Sequence, residues 1–92
     1  MGHIDEQLQH VIRRIKEIRK EKSMSQLELS EKANMSQSFL ASVERGKKQP
    51  SVRTLLRLAD ALEVSPKVFF PAIKKMSKHE TKDAIIDLVR SL

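Results

Sequence analysis

The stretch SQSFLASVER, residues 36 to 45, holds the side chains with the most distinctive chemistry in this sequence. On a helix turning about 100° per residue, Leu40 and Val43 point one way. Ser38, Ala41, Ser42 and Arg45 point the other, and Gln37 lies on the edge at the start. The outward face is therefore short, polar and nearly uncharged, where a helix meeting only water would carry Glu and Lys. Those side chains suit a helix pressed into the groove of a duplex. Glutamine makes a bidentate contact to adenine, serine donates to or accepts from any base edge, and alanine touches a thymine methyl group. Arg45, at the far end, would reach a phosphate.

Other chemistries find little support. His3, His10 and His79 lack metal-ligand spacing, so no metal site is expected. The many serines have no histidine and carboxylate placed near them, and most stand where a helix needs a cap. There is no phosphate-cradling glycine loop. An enzyme, a cofactor and a small-molecule ligand are all unexpected. Phe39 reads as a partly buried aromatic at a helix edge rather than a stacking platform.

Charge points the same way as the polar face. The net charge is +6 and the pI near 9.9. Arg45, Lys47, Lys48, Arg53 and Arg57 follow one another with no acidic residue among them, the footprint of a polyanion partner. The N-terminal stretch adds Arg13, Arg14, Lys16, Arg19, Lys20 and Lys22, partly offset by Glu17 and Glu21. The 92 residues, without cysteine, limit the chain to one small core and exclude a disulfide framework. No stretch approaches the roughly 20 apolar residues of a membrane span, and no signal peptide opens the chain, so a cytoplasmic location is expected.

Helices must position these residues, because nothing alternates with period two. Ile4, Leu8, Val11, Ile12, Ile15 and Ile18 recur at helical intervals and predict one long helix over about 5–21. Ser25 with Glu28 forms a capping box that starts a second helix, with Leu27, Leu29 and Ala33 as its apolar positions. Asn34 tolerates the left-handed backbone that ends it. Ser36 caps the third helix and Gly46 stops it. Pro50-Ser51 opens a fourth, with the stripe Val52, Leu55, Leu56, Leu58, Ala59 and Leu62, and Ser65-Pro66 a short fifth through Phe69 and Phe70. Ser77 and Glu80 form another capping box, leading a last helix over 77–92.

Two sequence stretches carry a resemblance over residues 11 to 70. RIKEIRKEKSMSQLELSEKANMS followed by SFLASVERGKKQPSVRTLLRLADALEVS resembles the Cro and lambda-repressor class of helix-turn-helix proteins, the xenobiotic-response-element type of bacterial and phage regulators. The resemblance implies an all-α fold: a five-helix DNA-binding domain over 5–71 with its helix-turn-helix unit at 25–45, plus one additional C-terminal helix. Gln26 would bind a phosphate, Ser30 would be the small residue at the helix crossing, and Gln37, Ser38, Ala41 and Ser42 would face bases. Arg45, Lys47 and Lys48 would flank the backbone, with Ser36 counted in the same set. Arg19 would pair with Glu44, and Glu44 independently lies beside the core face of the helical wheel. The family's usual glycine at the turn is Asn34 here.

The resemblance implies a sequence-specific regulator of bacterial, phage or plasmid origin, acting on double-stranded DNA as a homodimer at a near-palindromic operator. The last helix presents Ile85, Leu88, Val89 and Leu92 on one side, with Ile86 beside them. It is expected to meet its own copy, together with Phe69 and Phe70; packing back on its own domain is the alternative. A second functional reading is a protein-interaction module, such as an antitoxin or an adaptor that holds another regulator. The polar face argues for DNA, since a protein-binding surface would show large apolar residues there.

Overall fold

The computed structural model describes residues 3–71. Among them four α-helices follow one another: α1 (His3–Glu21), α2 (Gln26–Lys32), α3 (Gln37–Glu44) and α4 (Val52–Leu62). A 3₁₀ turn, Pro66–Phe69, closes the described chain. No strand occurs among the described residues. The expected last helix, with Ile85, Ile86, Leu88, Val89 and Leu92, lies outside them.

The starts of α2, α3 and α4 are each fixed by a serine. The Ser25 hydroxyl accepts from the Glu28 amide at 3.0 Å, and the Glu28 carboxylate accepts from the Ser25 amide at 3.0 Å, completing the capping box. Ser36 accepts from the Phe39 amide and Ser51 from the Thr54 amide, each at 3.1 Å. Ser65 makes no such bond, and the segment it opens is a 3₁₀ turn rather than the expected fifth α-helix. Four residues between Ser65 and the extended Phe70 are too few to build an α-helix past its costly first turn.

The ends share one closure. Ser23, Asn34 and Glu63 have φ of 57°, 57° and 60°, and Gly46 has φ of 78°. In each case the left-handed residue donates to a carbonyl three residues back and the next residue donates to one five back, the Schellman pattern. For α3, Gly46 donates to Val43 at 2.9 Å and Lys47 to Ser42 at 2.9 Å. For α2, Asn34 donates to Glu31 and Met35 to Ser30. After the other turns stand Met24 and Val64, and these two together with Met35 pack their side chains on the core.

That core is built from one stripe per element. Ile15, Leu29, Leu40, Val43, Leu58 and Phe69 have no exposed surface, and Val11, Ile18, Ala33, Leu55, Ala59 and Leu62 are buried around them. Helix α2 packs on α3, and the 3₁₀ turn sits against α1 and α4. Arg14 reinforces the latter seam by donating from Nε to the Val68 carbonyl at 3.5 Å. Two positions counted in the apolar stripes are instead exposed, Leu27 at 49% and Val52 at 57%. Both stand in the first turn of their helix, where side chains lean toward the N-terminus and past the edge of the packed face.

Candidate nucleic-acid interface

Helix α3 carries the candidate reading face, and its orientation is set by a buried ion pair. The Arg19 guanidinium on α1 donates to Glu44 in a fork, Nε to Oε2 at 2.8 Å and Nη2 to Oε1 at 3.0 Å. Its remaining Nη1 donates to the Met24 carbonyl at 2.8 Å. Gln26, the first residue of α2, donates from Nε2 to Glu44 Oε1 at 3.0 Å. One carboxylate at the end of α3 is thus held by α1 and α2 together. No buried side-chain polar atom among the described residues lacks a partner, so the charge is compensated as a buried pair requires. The link from Gln26 to Glu44 was not anticipated, because no periodicity relates positions 26 and 44.

Packing fixes the angle between the two helices. Ser30 on α2 is 1% exposed, and its hydroxyl donates to the Leu27 carbonyl at 2.8 Å. Leu40 and Val43, both fully buried, turn the opposite face of α3 outward. Along that face Gln37, Ser38, Ala41, Ser42 and Arg45, together with Gln26 of α2, line one open groove of about 310 Å³. Gln37, Ser38 and Arg45 are exposed, and Gln26, Ala41 and Ser42 half-buried. Ser36, Lys47 and Lys48 are exposed but do not line this groove. The Ser42 carbonyl accepts from the Lys47 and Lys48 amides at 2.9 and 3.3 Å, which ties the basic loop to the end of α3.

A second groove, of about 570 Å³, runs between α1 and the segment after α3. Its walls include Leu8, Gln9, Arg13 and Lys16 on one side and Arg45, Gly46, Lys48 and Gln49 on the other. Arg45 belongs to both grooves. The sequence shows Arg13 and Lys16 at a three-residue spacing, hence on one face of α1, but only the packing places that face beside the loop.

The two phenylalanines expected at a shared surface separate. Phe69 has no exposed area and fills the core, which removes it from any surface between copies; Phe70 is half-buried. An aromatic on a turn that packs between α1 and α4 is the largest apolar group available to close that end of the core. His10 is half-buried on α1, and no group of histidine and carboxylate side chains among the described residues is arranged to hold a metal. No helix among them is long and apolar enough to cross a membrane.

Known proteins share the family and the fold. A helix-turn-helix family model matches residues 15–69. The immunity repressor protein of Bacillus phage phi105 is 51% identical over 51 residues, which cover 55% of this chain and 35% of the repressor. This chain therefore spans only about a third of that relative's length. The restriction-modification controller protein C.AhdI from Aeromonas hydrophila superposes with a TM-score of 0.66 at 33% identity, covering 68% of this chain and 96% of the controller. A mutant of C.Esp1396I, bound to its highest affinity operator site, superposes with a TM-score of 0.60 at 26% identity over 90% of this chain and 93% of that one. This chain belongs to the helix-turn-helix family of the xenobiotic-response-element type, whose named relatives are transcriptional regulators and repressors.

Proposed function

We propose that this chain is a sequence-specific reader of double-stranded DNA that regulates transcription in the cytoplasm as a homodimer on a near-palindromic operator. The observation that carries the proposal is the groove on α3, whose lining is two glutamines, two serines, an alanine and one arginine. Gln37, Ser38, Ala41 and Ser42 read base edges, and Gln26, Ser36, Arg45, Lys47 and Lys48 hold the phosphate backbone. Two of these backbone roles are compatible with the bonds already made. Gln26 spends one of its two amide hydrogens on Glu44 and keeps the other. Ser36 accepts from Phe39 and can still donate its hydroxyl hydrogen.

The C.Esp1396I relative bound to its operator supports a DNA partner, and the phage repressor and the controller proteins support a regulatory role. In the dimer the two copies of α3 stand about 34 Å apart, one turn of duplex. Phe70, Ile85, Ile86, Leu88, Val89 and Leu92 supply the shared surface. The test is selection of bound duplexes from sheared genomic DNA of the source organism at about 150 mM salt. Enrichment of one short inverted repeat is the expected result. Binding with no enrichment overturns the sequence-specific reading.

A further inference from the structure

The groove between α1 and the loop after α3 shares Arg45 with the reading groove, but its α1 wall, with Arg13 and Lys16, has no part in the contacts proposed for α3. Four cationic side chains line it, Arg13, Lys16, Arg45 and Lys48, against two carboxylates, Asp5 and Glu44. The Glu44 charge is already taken up by the Arg19 fork. Asp5 has an interaction of its own and stands eleven residues from Lys16, roughly 16 Å along the helix axis. The cationic end is therefore the end next to Arg45, and Arg45 also lines the reading groove. One continuous basic track leads from α3 onto α1.

We propose that this second groove carries the phosphate backbone of DNA flanking the bases read by α3, with Arg13 and Lys16 as contacts indifferent to sequence. The inference rests on the DNA-reading function proposed above and extends it to a part of α1 that includes residues ahead of the family match at 15–69. The lining fits a polyanion better than other occupants. Gln9 and Gln49 add neutral donors, while the apolar share is Leu8, half-buried, and Ile12, at 8% exposure. An apolar ligand would find no enclosed floor there. An acidic peptide would find no pocket for the apolar anchor that fixes a peptide in place.

The test uses the full chain and an operator taken from the genomic selection, in two lengths, one ending at the inverted repeat and one with flanking duplex on both sides. Binding is measured across a salt series for the parent protein, Arg13→Gln, Lys16→Gln and Lys32→Gln. Lys32 is an exposed residue in the last turn of α2 that lines neither groove, so its change controls for net charge alone. Folding is checked by thermal melting. On the long duplex, Arg13→Gln and Lys16→Gln should each flatten the slope of log affinity against log salt by about 0.9 per bound subunit. Sequence preference should be unchanged, the Lys32 control should match the parent, and the differences should shrink on the short duplex. If the parent selects its operator but the α1 variants keep its slope on the long duplex, the groove does not hold DNA and the proposal is overturned. If the parent selects no sequence, the reading function falls and the inference with it.

Discussion

Single side chains decide how α3 is aimed. Removing Arg19 would leave the Glu44 carboxylate buried, with only the Gln26 amide opposite it. Arg19→Ala should therefore cost about 3–5 kcal/mol in a denaturant titration, the range for breaking a buried pair. Arg19→Lys should recover only part of this, because an ammonium cannot supply the two-pronged fork or the third bond to Met24. Full stability of Arg19→Ala would show that the pair contributes nothing to the fold. Gln37→Ala and Ser42→Ala belong to the opposite class. They sit on the outer face and should leave stability alone while changing discrimination at one base position by roughly 1–3 kcal/mol, read by competition between operator variants. Glu28 supplies a pH signature. The amide and hydroxyl of Ser25, and more weakly Lys32, hold its carboxyl below the usual value of 4.5, against a small opposing effect of burial. A depressed folded-state pKa adds stability that is present above the usual value and lost as pH falls through the depressed one. Melting temperatures of the parent and Glu28→Gln should therefore converge in acid and separate at neutral pH.

At the scale of elements, the recurring feature is the left-handed residue after each helix. A non-glycine residue there costs roughly 1–2 kcal/mol, less for asparagine, whose short side chain bonds locally. Glu63 has no such relief, so Glu63→Gly should raise the midpoint of chemical denaturation by the equivalent of about 1 kcal/mol, after the entropy that glycine itself loses. Asn34→Gly should do less, and Asn34→Val should destabilise. A drop in stability for Glu63→Gly would show that the glutamate makes a contact that outweighs its backbone strain. The apolar residues that follow these turns explain why the strain is tolerated: Met24, Met35 and Val64 each bury surface against the core directly after the left-handed residue. The turn between α2 and α3 works by this mechanism without the glycine that the family resemblance led one to expect.

For the whole molecule, the core and the proposed surface between copies make distinct demands on adjacent aromatics. Phe69→Ala should cost about 3–5 kcal/mol through the cavity left between α1 and α4. What remains folded should sediment as the parent does, because Phe69 has no exposed area to lose. Paired Ile85→Asp and Leu88→Asp changes should instead leave a folded monomer with weak operator affinity, and a dimer that survives them in sedimentation would place the interface elsewhere. A dimer neutralising ~8 phosphates should show log affinity falling with log salt at a slope near −7. A slope near half that value would mean one copy bound per site.

The sequence by itself determined the local features. Helical spacing of apolar residues located α1 to α4, and Ser25, Ser36 and Ser51 marked the starts of the last three, because caps and periodicity act within one or two turns of chain. The outward polar face of α3 was legible for the same reason, as was the side of α3 on which Glu44 lies. Tertiary structure decided whatever depends on distant neighbours. It buried Phe69 while leaving Leu27 and Val52 exposed, although all three are apolar residues at or near the ends of short elements. It shortened the fifth helix to a 3₁₀ turn. It tied Gln26 to Glu44, and it set Arg13 and Lys16 beside the loop after α3. No sequence period encodes such neighbours, because the angle at which two helices cross is set by how their buried side chains interlock.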